Sequence, residues 1–120
     1  MSFGWKNSTR TTSKYHAVKE VVDGITFDSR KEANRYCELK LLHRAGKIEN
    51  LQRQVRYLLV PTQYDKDGKC IYYSANYVAD FVYHQNGDLV VEDVKGYRTP
   101  EYILKKKLML ERYGIIIKEV

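Results

Sequence analysis

The sequence predicts an α/β protein in which a mixed four-stranded sheet is flanked by helices, in the order α-β-β-β-α-β. Three observations predict this class. Apolar residues alternate along a run from about Cys70 to Tyr83, as they do in a strand. Asn86-Gly87 follows this run and is a strong signal for a tight hairpin. Two segments with residues typical of helix starts and helix ends lie on either side of the strands.

The first helix is predicted by its two ends. A small hairpin over residues 21–27 precedes it, and Asp28 or Ser29 supplies the N-cap. The helix runs from about Arg30 to Ala45, because Gly46 is a typical residue just past a helix end.

The later elements follow in chain order. Three strands are predicted, over Val55–Pro61, Cys70–Tyr83 and Leu89–Lys95. Thr99-Pro100 then reads as an N-cap followed by an N1 proline, and this second helix ends at Gly114. The apolar Ile115–Ile117 is predicted to be a short, buried last strand.

Composition favours a folded domain with a polyanionic partner. The 120 residues suffice for one domain, with residues 1–19 as a basic N-terminal arm and residues 20–120 as a single domain. The net charge of +6 favours DNA, RNA or an anionic membrane surface, although a soluble protein that is merely basic is an equal alternative.

Cysteine usage and hydropathy exclude several classes. Cys37 and Cys70 are the only cysteines and do not form a CxxC pair, which argues against structural zinc and a disulfide framework. The sequence has no apolar run of the length that a membrane span needs. A cytoplasmic protein without a membrane partner is therefore expected.

Charged residues in the third strand raise the question of function. If Asn86 and Gly87 form the hairpin loop, the register places Asp80 opposite Asp93, with Lys95 one diagonal away. Like charges directly opposite each other destabilise a sheet. A bound Mg²⁺, a shared proton, or Lys95 acting alone would offset the repulsion. A loop of odd length would instead place Asp80 opposite Glu92 or Val94.

At this point the chain resembles a known superfamily. A glutamate on a first helix, an aspartate late in a strand and (D/E)-x-K on the hairpin partner are typical of the PD-(D/E)xK nucleases. Here the motif reads "YVADF" at residues 77–81 and "EDVKG" at residues 92–96, with Ala79 where the superfamily has proline. The phrases "FDSRKEANRY" and "YVADFVY…VVEDVKG" look like a small phage-encoded family in which some members are labelled nucleases or Holliday-junction resolvase-like.

The resemblance implies a restriction-endonuclease-like core and a set of catalytic residues. Asp80 and Asp93 match the acidic metal ligands, and Glu92 leaves the second assignment ambiguous by one residue. Lys95 matches the lysine that positions or activates the attacking water. Glu32 matches a further helix ligand, although Ser29 and Glu32 also form a capping box that explains the glutamate without catalysis.

The expected activity is metal-dependent hydrolysis of DNA phosphodiester bonds. The implied cofactor is Mg²⁺, with Mn²⁺ as a substitute, and the substrate could be branched DNA, which would suit a homodimer. Four basic residues are candidates for contacts with DNA: Lys14, Arg98, Lys105 and Lys106. The alternative is a non-catalytic nucleic-acid-binding module that retains the nuclease fold.

Overall fold

The computed structural model describes residues 19–94 and 98–120. Within them the chain is an α/β protein, as the sequence predicts. It divides into two compact units, one up to Glu38 and one from Leu39 to Val120. The predicted basic arm lies outside the described residues, apart from Lys19.

The first unit contains a hairpin and the first part of helix α1. Strands β1 (Glu20–Val22) and β2 (Ile25–Phe27) pair antiparallel. Asp23 and Gly24 between them adopt positive φ angles of 54° and 76°, as a tight hairpin turn requires. The Tyr36 hydroxyl donates to Asp23 Oδ2 at 3.1 Å, which ties the helix to this turn. The predicted small hairpin is confirmed.

Helix α1 (Arg30–Arg44) begins and ends where the sequence predicts. The Ser29 hydroxyl accepts a hydrogen bond from the Glu32 backbone N–H at 3.1 Å, so Ser29 is the N-cap. Past the helix, Gly46 adopts a φ of 74°. Such a left-handed residue allows the chain to turn away from a helix end.

A mixed four-stranded sheet forms the centre of the second unit, in the order β3-β6-β7-β8. Its strands are β3 (Glu49–Val60), β6 (Ala75–Gln85), β7 (Asp88–Asp93) and β8 (Lys118–Glu119). The first three are antiparallel neighbours, and β8 lies parallel to β7. A parallel neighbour requires a crossover connection, which helix α2 (Pro100–Tyr113) supplies.

Helix α2 packs on the sheet through a core of aliphatic and aromatic side chains. Its buried Tyr102 and Met109 join a cluster with Leu59, Tyr77, Ala79, Val82, Val91 and Ile117. Tyr57 and Tyr113 meet edge to face with ring centroids 5.4 Å apart. The Thr99 side chain accepts from the Tyr102 N–H, and Gly114 forms the left-handed C-cap, as predicted. Neither described helix is both long and apolar enough to cross a membrane.

Three predictions about strands are wrong in detail. The run from Cys70 to Tyr83 is two strands, because β5 (Cys70–Tyr72) pairs with β4 (Gln63–Tyr64) whereas β6 pairs with β3. The predicted order therefore lacks the β4–β5 hairpin.

The other two errors concern strand ends. The first sheet strand begins at Glu49 rather than Val55, because its pairing with β6 extends to His84. The last strand is Lys118–Glu119 rather than Ile115–Ile117. In that apolar run Ile117 is buried in the core but Ile116 is 77% exposed, so the run leads into the strand without forming it.

Candidate active site

The β6–β7 hairpin has the register that the Asn86-Gly87 turn predicts. Gln85 faces Asp88, and the pairing continues without a shift to Phe81 opposite Glu92. The next residues along the two strands are Asp80 and Asp93. The alternatives with an odd-length loop, in which Asp80 faces Glu92 or Val94, are therefore excluded.

Asp80 and Asp93 line one pocket of about 320 Å³ at this end of the hairpin. Other lining residues come from β6 and from the first turns of α2: Asn76, Tyr77, Val78, Thr99, Glu101, Tyr102 and Lys105. The pocket therefore brings together both strand aspartates that the sequence singles out. Three of its described lining residues are acids and one is a lysine, which favours a cation as one of its occupants.

Two contacts hold the Asp80 carboxylate. The backbone N–H of Val94 donates to its Oδ2 at 2.8 Å. The Gln54 side-chain amide lies at 3.5 Å from its Oδ1. Gln54 lies in β3 with a positive φ of 52°, an irregular conformation within a strand for a residue with a side chain. The N–H contact ties Asp80 to the residue directly after Asp93.

Asp93 is buried, with 2% of its surface exposed, and is held by a tyrosine. The Tyr77 hydroxyl donates to Asp93 Oδ2 at 2.5 Å. Burial, and then the hydrogen bond to Asp93, raise the pKa of Tyr77 far above its ordinary value. The phenol therefore remains a neutral donor at any physiological pH and orients the carboxylate in the pocket.

Glu92, the acid next to Asp93, lies in a different environment. Its carboxylate is fully buried and accepts a hydrogen bond from the Tyr83 hydroxyl. The Lys118 ammonium lies 4.0 Å from it, and Glu92 does not line the pocket. A buried carboxylate needs such partners. The contacts with Tyr83 and Lys118 therefore account for a glutamate at this buried strand position.

The start of α2 contributes the remaining lining residues of the pocket. Thr99 caps the helix, and Glu101 in its first turn forms an ion pair with Lys105 at 3.1 Å. Both charged residues line the pocket. Lys105, which the sequence predicts to bind DNA, is thus the predicted basic residue that the structure places beside the aspartates.

Arg98 and Lys106 converge on Glu119 of β8. Both nitrogens of the Arg98 fork contact that carboxylate, and Lys106 Nζ lies at 3.2 Å. The Tyr102 hydroxyl donates to it at 2.8 Å. These donors, Arg98 first, lower the pKa of Glu119 to about 2. Glu119 also pairs in register with Asp93, so the cluster fixes the edge of the strand that carries the second aspartate.

Five predicted site residues are not among the described lining of the pocket, namely Arg98 and Lys106 of the Glu119 cluster and three others. Lys14 and Lys95 lie outside the described residues. Glu32 is 8% exposed and belongs to the first unit, with its backbone N–H engaged by the Ser29 cap. The Ser29 N-cap of the predicted capping box is therefore confirmed, and the role of Glu32 as a metal ligand stays a prediction.

Sequence reasoning missed Tyr77, Tyr102 and Glu119. Tyr77 belongs to the alternating run, but its hydroxyl reaches Asp93 only because the fold brings the two side chains together. Glu119 carried no signal, since the last strand was expected to lie earlier in the chain. A tyrosine-rich composition of 11 residues was visible, but it does not tell which rings bear polar contacts.

The donor set fits a hard divalent cation with few protein ligands. Among residues 19–94 and 98–120, no group of three or more His, Cys, Asp or Glu side chains is arranged to hold a metal ion. Mg²⁺ is commonly bound by one or two carboxylates, with water and substrate phosphate oxygens completing its octahedron. Asp80 and Asp93 are two carboxylates that line the same pocket.

Comparisons with known proteins identify a family. Neither the curated proteins nor the solved structures include a match to this chain. One family model matches residues 12–118, which is most of the sequence. The chain therefore belongs to the family described as a protein of unknown function, DUF1064.

Proposed function

We propose that this protein is a Mg²⁺-dependent endonuclease that hydrolyses DNA phosphodiester bonds, built on a restriction-endonuclease-like core. The observation that carries the proposal is the pocket shared by Asp80 and Asp93 at the open end of the β6–β7 hairpin. Asp80 and Asp93 are the two strand residues that the resemblance to PD-(D/E)xK nucleases assigns to metal binding. The mixed sheet with a helix packed on it supports the same core.

Asp80 and Asp93 would hold the cation, and Glu32 is proposed as a further ligand. Mn²⁺ would substitute for Mg²⁺, because both accept carboxylate oxygens. A bound ion would supply Lewis-acid polarisation of a phosphoryl oxygen and a bound water of lowered pKa. The two carboxylates also bring the negative charge that such an ion needs in order to remain in the pocket.

Neighbouring residues orient the aspartates and meet the phosphate. Tyr77 holds one oxygen of Asp93, and the Val94 N–H holds one oxygen of Asp80. Lys95 follows Val94 directly in the sequence and is proposed to position the attacking water. Lys105 lines the pocket and supplies positive charge where a phosphate would enter. Its ammonium forms an ion pair with Glu101.

The net charge of +6 supports a polyanionic substrate. Exposed Cys37 and Cys70 accord with the reducing interior of a cell, where DNA is found. Branched DNA is the shape proposed first. A homodimer would then present two pockets to two strands.

A cleavage assay tests the proposal. Branched, duplex and single-stranded DNA are incubated with the protein in Mg²⁺ or in EDTA, and nicking is measured on denaturing gels. We expect cutting that requires the metal and that falls on the order of 10²-fold or more in Asp80→Asn, Asp93→Asn and Lys95→Ala.

The matched control is Asp88→Asn. Asp88 is an exposed acid at the other end of the same hairpin, so its substitution removes a charge without touching the pocket and should leave cutting unchanged. Binding of DNA without cutting in any metal, unchanged by the three pocket substitutions, would favour the non-catalytic nucleic-acid-binding module instead.

A further inference from the structure

The β4–β5 hairpin exposes aromatic side chains that the core does not use. Tyr64, Tyr72 and Tyr73 are 61%, 66% and 88% exposed, and Ile71 beside them is 52% exposed. The two strands pair only with each other and form a sheet separate from the central one. Packing within the described chain therefore does not account for these rings, and clustered exposed apolar groups commonly mark an interaction surface.

The hairpin is ordered by its turn rather than by burial. Asp65 Oδ1 accepts from the backbone N–H groups of Asp67 and Lys69 at 2.8 and 2.9 Å. The Asp65 N–H also donates to the Lys69 carbonyl, which closes the loop. This local network fixes the loop that joins the two strands, although their rings remain in solvent.

Strand β6 connects the hairpin to the proposed active site along the chain. The hairpin departs from the sheet just after Val60 and returns at Ala75, which pairs with Val60. One step further, Leu58 pairs with Asn76, and then Arg56 pairs with Val78. Asn76 and Val78 line the pocket together with Asp80.

Cationic side chains lie along this path. Arg56 is exposed beside Val78, and Lys66 and Lys69 are exposed in the hairpin turn, where Asp65 and Asp67 offset their charge. Cationic side chains that alternate with exposed aromatic rings are the usual means of holding single-stranded nucleic acid, since phosphates meet the cations and bases stack on the rings. Paired bases in a duplex are already stacked on each other and cannot use such rings.

We propose that the β4–β5 hairpin binds unpaired DNA bases by stacking on Tyr72 and Tyr73, and so directs single-stranded or junction DNA to the pocket. This inference rests on the proposed function, in which the pocket is the nuclease active site. It adds the substrate class: DNA with unpaired nucleotides next to the cut.

The test measures binding in EDTA, where no cleavage can occur. A fluorescein-labelled 30-nucleotide oligothymidylate and a blunt duplex of the same length are titrated with wild type, Tyr72→Ala, Tyr73→Ala and the corresponding Phe variants. Each Ala variant should bind the single strand at least about fivefold more weakly, the effect of losing one stacked ring. The Phe variants retain the ring and should bind like wild type.

Two controls separate stacking from other effects. Leu110→Ala removes an apolar side chain that is 51% exposed on α2 and belongs neither to the hairpin strands nor to the pocket lining, and it should not change binding. Duplex binding should change by less than about twofold in the Ala variants, because phosphate contacts dominate it. Thermal unfolding should be unchanged, since all the substituted side chains are exposed.

Three results would overturn the proposal. The first is single-strand binding that is unaffected in both Ala variants, and the second is an equal loss on duplex and single strand. The third is self-association of the wild type, seen by light scattering and lost in the Ala variants, which would assign the surface to a second copy of the chain. Failure of the nuclease proposal would appear separately, as absence of cutting with tyrosine-dependent binding intact.

Discussion

The two hairpins of the second unit differ in what stabilises them. The β6–β7 hairpin turns at Asn86 and Gly87 and buries its strands in the central sheet. The β4–β5 hairpin turns through Asp65 and Gly68, and all three residues of β5 are exposed. Both have a turn with a left-handed glycine, so a turn signal predicts that a hairpin exists but not whether tertiary packing supports it.

The difference also separates two proposed tasks. A buried hairpin holds carboxylates in a fixed arrangement, as metal binding requires. An exposed hairpin can present rings to a flexible ligand. We therefore expect substitutions in the first to act on stability and metal binding, and substitutions in the second to act on DNA binding.

The largest expected contrast is between core and surface side chains of the two hairpins. Phe81→Ala in β6 removes a ring with 0% exposure and should lower the free energy of unfolding by roughly 3–5 kcal/mol. Ile71→Ala in β5 removes a side chain that is 52% exposed and should change it by less than about 0.5 kcal/mol. Urea unfolding followed by circular dichroism measures both. Similar losses in the two variants would contradict the contrast.

A smaller effect is expected from the two turn glycines. Gly87 and Gly68 have φ angles of 85° and 83°, and a Cβ at either position would meet no atom within 4 Å. Alanine at either position should therefore lower the free energy of unfolding only by the strain of a left-handed backbone, about 1–2 kcal/mol. For Gly87→Ala the loss should appear in global unfolding, because that hairpin is part of the core sheet.

For Gly68→Ala the loss should appear only as faster hydrogen exchange within β4 and β5. The separate hairpin can open while the central sheet stays folded. An equal shift of the urea midpoint in both glycine variants would show that the two hairpins unfold as one unit.

The smallest expected effect concerns acid and the edge of the buried hairpin. The pKa of Glu119 is lowered to about 2 in the folded protein from 4.5, chiefly by Arg98. A lowered pKa contributes stability that is complete above about pH 4.5 and is lost as pH falls toward 2. Urea midpoints at pH 7, 4.5 and 3 should therefore decline more in wild type than in Glu119→Gln. Parallel pH profiles for the two proteins would contradict this role.

Local sequence signals predicted the parts of the fold that depend on local chemistry. The Ser29 and Thr99 caps and the glycines at 46 and 114 fix both helices, and Asn86-Gly87 fixes the hairpin register. That register in turn predicted that Asp80 and Asp93 approach each other.

Features that depend on long-range pairing could not be predicted. The alternating run from Cys70 looks like one strand, and only its two different partners divide it. Glu119 reaches Asp93 and Arg98 through a parallel pairing across α2, which no local pattern encodes. Tyr77 donates to Asp93 and Tyr83 donates to the adjacent Glu92, and only the positions of the two tyrosines in the fold determine this pairing.

A direct metal titration tests the central claim, that Asp80 and Asp93 together bind a divalent cation. Isothermal titration calorimetry with MgCl₂ or MnCl₂, without DNA, compares wild type with Asp80→Asn, Asp93→Asn and the control Asp88→Asn. We predict one binding event that is retained in Asp88→Asn and that weakens at least about tenfold in each pocket variant. Binding that is unchanged by Asp80→Asn and Asp93→Asn, or wild type that binds neither ion in the millimolar range, would contradict the account.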